Sequence, residues 1–136
     1  MRFTKILAAI DGGETAMEAL GEATRLAVSH QATLRIVYAV ADSGETDRQV
    51  GLTLLERAKA AVGAGLDVET HVLQAEAEYG LNGITEAVAR AVKEWGADLL
   101  VVGTANRRGL ERLVIGSVAE QLVAKVDASI LLVRPR

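Results

Sequence analysis

The chain has 136 residues, half of them hydrophobic but only 3% aromatic, with 15 Lys and Arg against 18 Asp and Glu for a net charge of -3, and no cysteine. That length fits a single domain, 1–136, with an ordinary core built from Ala, Val, Leu and Ile. Slight acidity argues against nucleic acid or an anionic membrane as partner, scarce aromatics against an RNA-stacking platform, and absent cysteine against disulfides, thiol catalysis and thiolate-bound metals.

Lys5 to Ile10 is a mostly apolar run closed by Asp11-Gly12-Gly13, the turn chemistry of a buried strand handing over to a helix. Asp11 ends the run before it is long enough for a signal h-region or a membrane span, so a soluble cytoplasmic protein is expected. From Thr15 the spacing turns helical, with Ala16, Leu20, Ala23 and Ala27 on one face, and the helix runs to about His30. Thr33 to Val40 is β-branched and apolar, a second strand, and Ala41 to Asp47 is a polar loop. Val50, Leu54, Ala58 and Ala61 mark a second helix closed by Gly63 and Gly65. Val68 to Leu73 alternates and reads as a more exposed strand, placed at an edge. Ile84, Val88, Val92 and Trp95 share one face of a third helix, with Asn82 as its N-cap and Gly96 as its stop. Asp98 to Gly103 is the fourth strand, Ser117 to Val126 the fourth helix, and Ile130 to Val133 the fifth strand.

Strands alternating with helices through short connections demand right-handed crossovers and a parallel sheet. The fold class is therefore α/β: a doubly wound five-stranded parallel sheet, order 3-2-1-4-5, with helices on both faces. Ligands in such sheets sit beyond the carboxyl ends of the strands where the winding reverses. Here that point falls between the first and fourth strands, so Asp11 and Gly103 should face each other across one crevice.

Chemistry concentrates in residues 103–120, where a strand end and a helix start are joined by a loop bearing Arg107, Arg108 and Arg112 against Glu111. A strand closing on Gly103 admits a ligand without Cβ interference, and Gly116-Ser117 offers free N–H groups at the positive end of a helix. Ser117-Val118-Ala119-Glu120 is also a capping box, worth ~1 kcal/mol to the helix; capping and phosphate contact can coexist, since a helix start has more unsatisfied N–H groups than one hydroxyl serves. Each arginine has a solvated surface role open to it; Arg107 is favoured as the phosphate contact. Asp11 suits ribose hydroxyls or a phosphate-bridging metal, and equally a cap for the first helix. His30 and His71 lie far apart without metal-ligand spacing and read as structural. The chain has no P-loop motif. A receiver domain of this topology would need an Asp at the end of the third strand, where Leu73-Gln74 stands.

Read end to end, the chain resembles a universal stress protein. Lys5 to Glu14 is similar to that family's opening strand and turn, with Gly13 where serine is usual; Ala97 to Thr104 and Leu110 to Glu120 are similar to its most specific segment, and Ile130 to Pro135 to its typical closing strand. The nucleotide-binding branch carries Gly-x2-Gly-x9-Gly-Ser/Thr, and this chain keeps the spacing as Gly103, Asn106, Gly116 and Ser117. Asn106 replaces the second glycine; asparagine is the non-glycine residue best able to adopt positive φ.

The resemblance implies an ATP-binding regulator of the stress response, with AMP or ADP as alternatives, magnesium as a companion, and at most slow hydrolysis. By the same resemblance, Ala9 and Asp11 line the adenosine side and the Val40 backbone meets the adenine. Gly103, Thr104, Asn106, Gly116, Ser117 and Val118 surround ribose and phosphates. A homodimer through the last strand is also implied, and an apolar Ile130 to Val133 edge gives such pairing a physical motive. The competing expectation is a dimeric interaction module that binds no nucleotide, with Asn106 closing the pocket. An enzyme of adenylate chemistry on the same superfold lacks its catalytic motif here.

Overall fold

The computed structural model describes residues 2–11, 14–40, 45–76, 81–104 and 117–134. In chain order these form β1 (Lys5–Ile10), α1 (Glu14–His30), β2 (Thr33–Val40), α2 (Glu45–Val62), β3 (Val68–Gln74), α3 (Leu81–Trp95), β4 (Leu99–Gly103), α4 (Ser117–Lys125) and β5 (Ser129–Val133). The strands pair in parallel in the order β3-β2-β1-β4-β5, as the alternation of elements predicts. Among the described residues no helix is long and apolar enough to cross a membrane.

Strand alternation splits the apolar side chains between two cores. Ile6, Ala8, Ile10, Leu34, Ile36, Leu99 and Val101 face α1 and α2, whereas Leu7, Val37, Leu100 and Val102 face α3 and α4. With so few aromatics, close approach of helix to sheet is achieved by alanine: Ala16, Ala19, Ala23 and Ala27 of α1 are all buried. Leu20 joins them, as the spacing predicts.

Two expectations need correction. α2 begins at Glu45, inside the stretch read as loop, and it turns Gly51, Leu55 and Ala58 inward while Val50 is 48% exposed. Of the predicted stripe, Ala58 is buried and Leu54 half-buried, whereas Val50 and Ala61 are exposed. A Cβ at Gly51 would lie 2.7 Å from the Tyr38 ring of β2, so a glycine at this point lets α2 rest over that ring. Asn82 lies one residue inside α3 rather than capping it. The glycine stops hold: Gly63, Gly65 and Gly96 adopt φ of +85°, +93° and +76°, the left-handed turn that ends a helix.

Asp98, just ahead of β4, fixes the start of β1. Its carboxylate accepts the Thr4 N–H at 2.8 Å, the Thr4 hydroxyl at 3.1 Å and the Lys5 N–H at 3.1 Å. Partial burial pushes its pKa up, but the hydrogen bonds from Thr4 and Lys5 outweigh that and hold the carboxyl below the usual aspartate value. A depressed folded pKa contributes stability that is present above the unfolded value and lost as pH falls through the folded one. Asp98→Asn should therefore cost about 1 kcal/mol at pH 7, discounted for solvent exposure, and the gap should narrow below about pH 4. Urea titrations of both proteins at pH 7 and pH 3 check this; a gap unchanged at pH 3 contradicts it.

Candidate functional site

The winding reverses at β1, which pairs with β2 on one side and β4 on the other. From β1 the chain winds outward to β2 and β3, then returns to β4 on the opposite side, so the carboxyl ends of β1 and β4 are where the two helix layers part. Ala9 sits level with both Val37 and Val102. Asp11 follows two residues later and is exposed; Gly103 follows one residue past Val102. The sheet therefore brings Ala9, Asp11, Gly103 and Thr104 to one edge.

Val40 closes β2 and is buried. Its carbonyl accepts the Ala75 N–H at 2.7 Å and the Gln74 Nε2 at 3.3 Å. Two donors fill a carbonyl's two lone pairs, so this oxygen is satisfied within the fold. Ser117 opens α4, which places it at the positive end of the helix dipole, and Val118 packs half-buried against the α3/α4 core. Asn106, Arg107 and Gly116 lie outside the described residues, as do Arg108, Arg112 and the side chain of Ser117.

Gly103 has a nearer neighbour than a ligand. A Cβ there would meet Thr15 Oγ1 at 2.5 Å, Thr15 Cβ at 2.9 Å and the Thr15 carbonyl at 3.1 Å, so the first turn of α1 occupies the space that the missing side chain leaves. Thr15 is itself buried, and its hydroxyl donates to the Thr104 carbonyl at 2.7 Å. The Thr104 N–H donates to the Val133 carbonyl at 2.9 Å. Thr104 is 2% exposed, and among the described residues its hydroxyl has no hydrogen-bond partner; a group bound within reach of it would gain a buried hydrogen bond there.

Sequence reasoning missed Thr15. A threonine near the start of a helix carries no distinctive signal; the available clue was Gly103, which announces a close approach without saying whose. His30 is structural as expected: its Nδ1 accepts the Phe3 N–H at 2.9 Å and its ring stacks on Phe3 at 5.2 Å. His71 is exposed on β3. Among the described residues no three His, Asp or Glu stand together as a metal site. A cation beside Asp11 would draw its other oxygen ligands from phosphate and water, a mode that suits magnesium.

The model of the Universal stress protein family matches residues 2–134. Universal stress protein YxiE of Bacillus subtilis is 28% identical over 154 aligned residues, covering 97% of this chain and 99% of the relative. Solved structures of universal stress proteins share the fold. The universal stress protein from Archaeoglobus fulgidus in complex with dAMP superposes with a TM-score of 0.76 at 19% identity, covering 97% and 98% of the two chains. A universal stress protein in complex with cAMP superposes at 0.74 with 22% identity, covering 98% of each.

Proposed function

The chain belongs to the universal stress protein family, and on that premise we propose that it is an adenine-nucleotide-binding regulator of the stress response, working as a homodimer. The observation that carries the reading is the meeting of β1 and β4 at the winding reversal, with Ala9, Asp11, Gly103 and Thr104 on one edge. In the sequence that edge leads into Gly103-x2-Asn106-x9-Gly116-Ser117. Two fold neighbours are complexes with dAMP and cAMP, which supports an adenine nucleotide as the ligand class.

Each residue has a role that its chemistry fits. Ala9, small and half-buried, leaves room for an adenosine; Asp11 accepts hydrogen bonds from ribose hydroxyls or holds magnesium, which neutralises phosphate charge when bound. Val40 borders the base. Thr104, Asn106 and Val118 line the ribose and phosphate side, Arg107 supplies positive charge, and the N–H groups at Gly116 and Ser117 meet phosphate oxygens at the head of α4. A single carboxylate that orients a metal or a water supports at most slow ATP hydrolysis. For the dimer, β5 is an apolar edge strand whose Ile130, Leu131, Leu132 and Val133 are only half-buried in one copy, and pairing two such edges about a two-fold axis would cover them.

Asn106 favours a second reading. Its side chain stands where the nucleotide-binding branch has glycine, and a side chain at that position can fill the space of a phosphate; the protein would then be a dimeric interaction module. Isothermal titration of the wild type and Asn106→Gly with ATP separates the two. The nucleotide reading expects both to bind with a dissociation constant well below 1 mM, about -4 kcal/mol or better, the variant more tightly. Binding by Asn106→Gly alone would support the interaction module.

A further inference from the structure

β5 closes one edge of the sheet, and among the described residues no strand pairs with its outer side. The Val133 carbonyl accepts the Thr104 N–H at 2.9 Å, so the main-chain groups of Val133, and by alternation those of Leu131 and Ser129, are directed to β4. Those of Ile130 and Leu132 are therefore directed to the free edge. Side chains alternate as well: Leu131 and Val133 pack on the α1/α2 core, Ile130 and Leu132 on the α3/α4 core. Val123 of α4 is 55% exposed. It lies roughly 200° around the helix from Lys125, which reaches Glu86 of α3, and α3 itself packs over β2 and β3, so Val123 is turned the other way, toward the β5 edge. Unpaired main-chain groups beside a band of half-exposed apolar side chains fit a second copy of the same strand as their cover.

Hydrogen-bonded rungs need outward groups opposite outward groups, which puts the two-fold axis of such a pair on a residue of β5. Only an axis at Leu131 gives all five residues of the strand a partner; an axis at Ile130 or Leu132 leaves an end of each strand without one. With the axis at Leu131, Ile130 exchanges hydrogen bonds with the partner's Leu132, and one rung further the partner's Arg134 stands level with Ala128. Arg134 is exposed and shares the parity of Ile130 and Leu132, so its side chain emerges on the α3/α4 face. There Asp127 and Ala128 line the groove between the tails of α3 and α4. Among the described residues neither Asp127 nor Arg134 has an ion-pair partner, and Lys125, the neighbouring cation, is taken by Glu86. We infer that two copies pair β5 about an axis through Leu131, and that this register delivers the Arg134 of each copy to the Asp127 of the other at the mouth of that groove. The inference deepens the homodimer reading and rests on it.

The full chain contains no cysteine, so Ile130→Cys, Leu131→Cys and Leu132→Cys each carry a single thiol. A residue on the axis meets its own copy, and a non-hydrogen-bonded antiparallel pair brings the two Cα atoms to about 4.5 Å, within disulfide reach. Under mild oxidation Leu131→Cys should form disulfide-linked dimer about fivefold faster than the other two; faster linkage of Ile130→Cys or Leu132→Cys shows a shifted register and overturns the inference. Dimer dissociation constants, read by sedimentation on dilution, test the ion pair. Asp127→Arg and Arg134→Asp should each weaken the dimer about tenfold, since each turns the attraction at both symmetric sites into repulsion, and the two changes combined in one chain should return it to within about threefold of wild type. Single variants that dimerise as wild type does, or a combined variant weaker than either single one, also overturn the inference while the dimer reading stands. A wild type that sediments as a monomer at every concentration, with no linkage of Leu131→Cys, removes the dimer reading and the inference with it.

Discussion

Leu100→Ala should cost about 2–5 kcal/mol, a large share of the 5–15 kcal/mol that holds a domain of this size. Leu100 is fully buried in β4, level with Leu7 of β1 and Ile130 of β5, and it shares a core with Val88, Val92 and Leu122 of the covering helices. With almost no large aromatics to shift into the gap, and with the β4 backbone paired on both sides, the void has little means of collapsing. Urea unfolding followed by circular dichroism should show a lower midpoint with an unchanged slope. Leu52→Ala, on the exposed side of α2, serves as the control and should change stability by less than about 0.5 kcal/mol. A loss below about 1 kcal/mol for Leu100→Ala would contradict the two-core packing.

That contrast also explains what was legible beforehand. Strands with both faces covered are near-continuous apolar runs, so β1, β2, β4 and the winding order could be read from the sequence, and order alone pointed to the β1/β4 edge as the candidate site. α1 was equally clear because its alanines and Leu20 recur on one stripe. α2 was not. Its inward face takes in Ala58 of the predicted stripe but exchanges Val50 for Gly51 and Leu55, and Gly51 lies against Tyr38, thirteen positions earlier, where a Cβ would stand 2.7 Å from the ring. Thr15 was hidden for a related reason. Its importance arises from what it meets 89 residues away, and local pattern is silent about such pairs. Gly103 was visible but ambiguous, since a glycine records a close approach and leaves the other party unnamed.

Gly103→Ala resolves that ambiguity. If the position is glycine for the sake of a ligand alone, the new methyl should weaken ATP binding and leave the unliganded protein as stable as before. The packing predicts otherwise: the added Cβ would stand 2.5 Å from Thr15 Oγ1 and 2.9 Å from Thr15 Cβ, closer than real Cβ atoms approach their neighbours. β4 is held between β1 and β5, so it is α1 that must lift. Unliganded Gly103→Ala should accordingly lose about 1–3 kcal/mol and roughly 3–10 °C in Tm, and should also bind ATP more weakly because the Thr15 to Thr104 bond is strained. Adding Thr15→Ala removes the closest contact, but it leaves Cβ against Cβ and the main-chain carbonyl at 3.1 Å. The double variant should therefore recover part of the stability and none of the affinity, with a coupling of about 0.5–3 kcal/mol in a mutant cycle. Strictly additive effects on stability would mean that Thr15 and Gly103 are not in contact, and the site would have to be rebuilt around a different neighbour for that strand end.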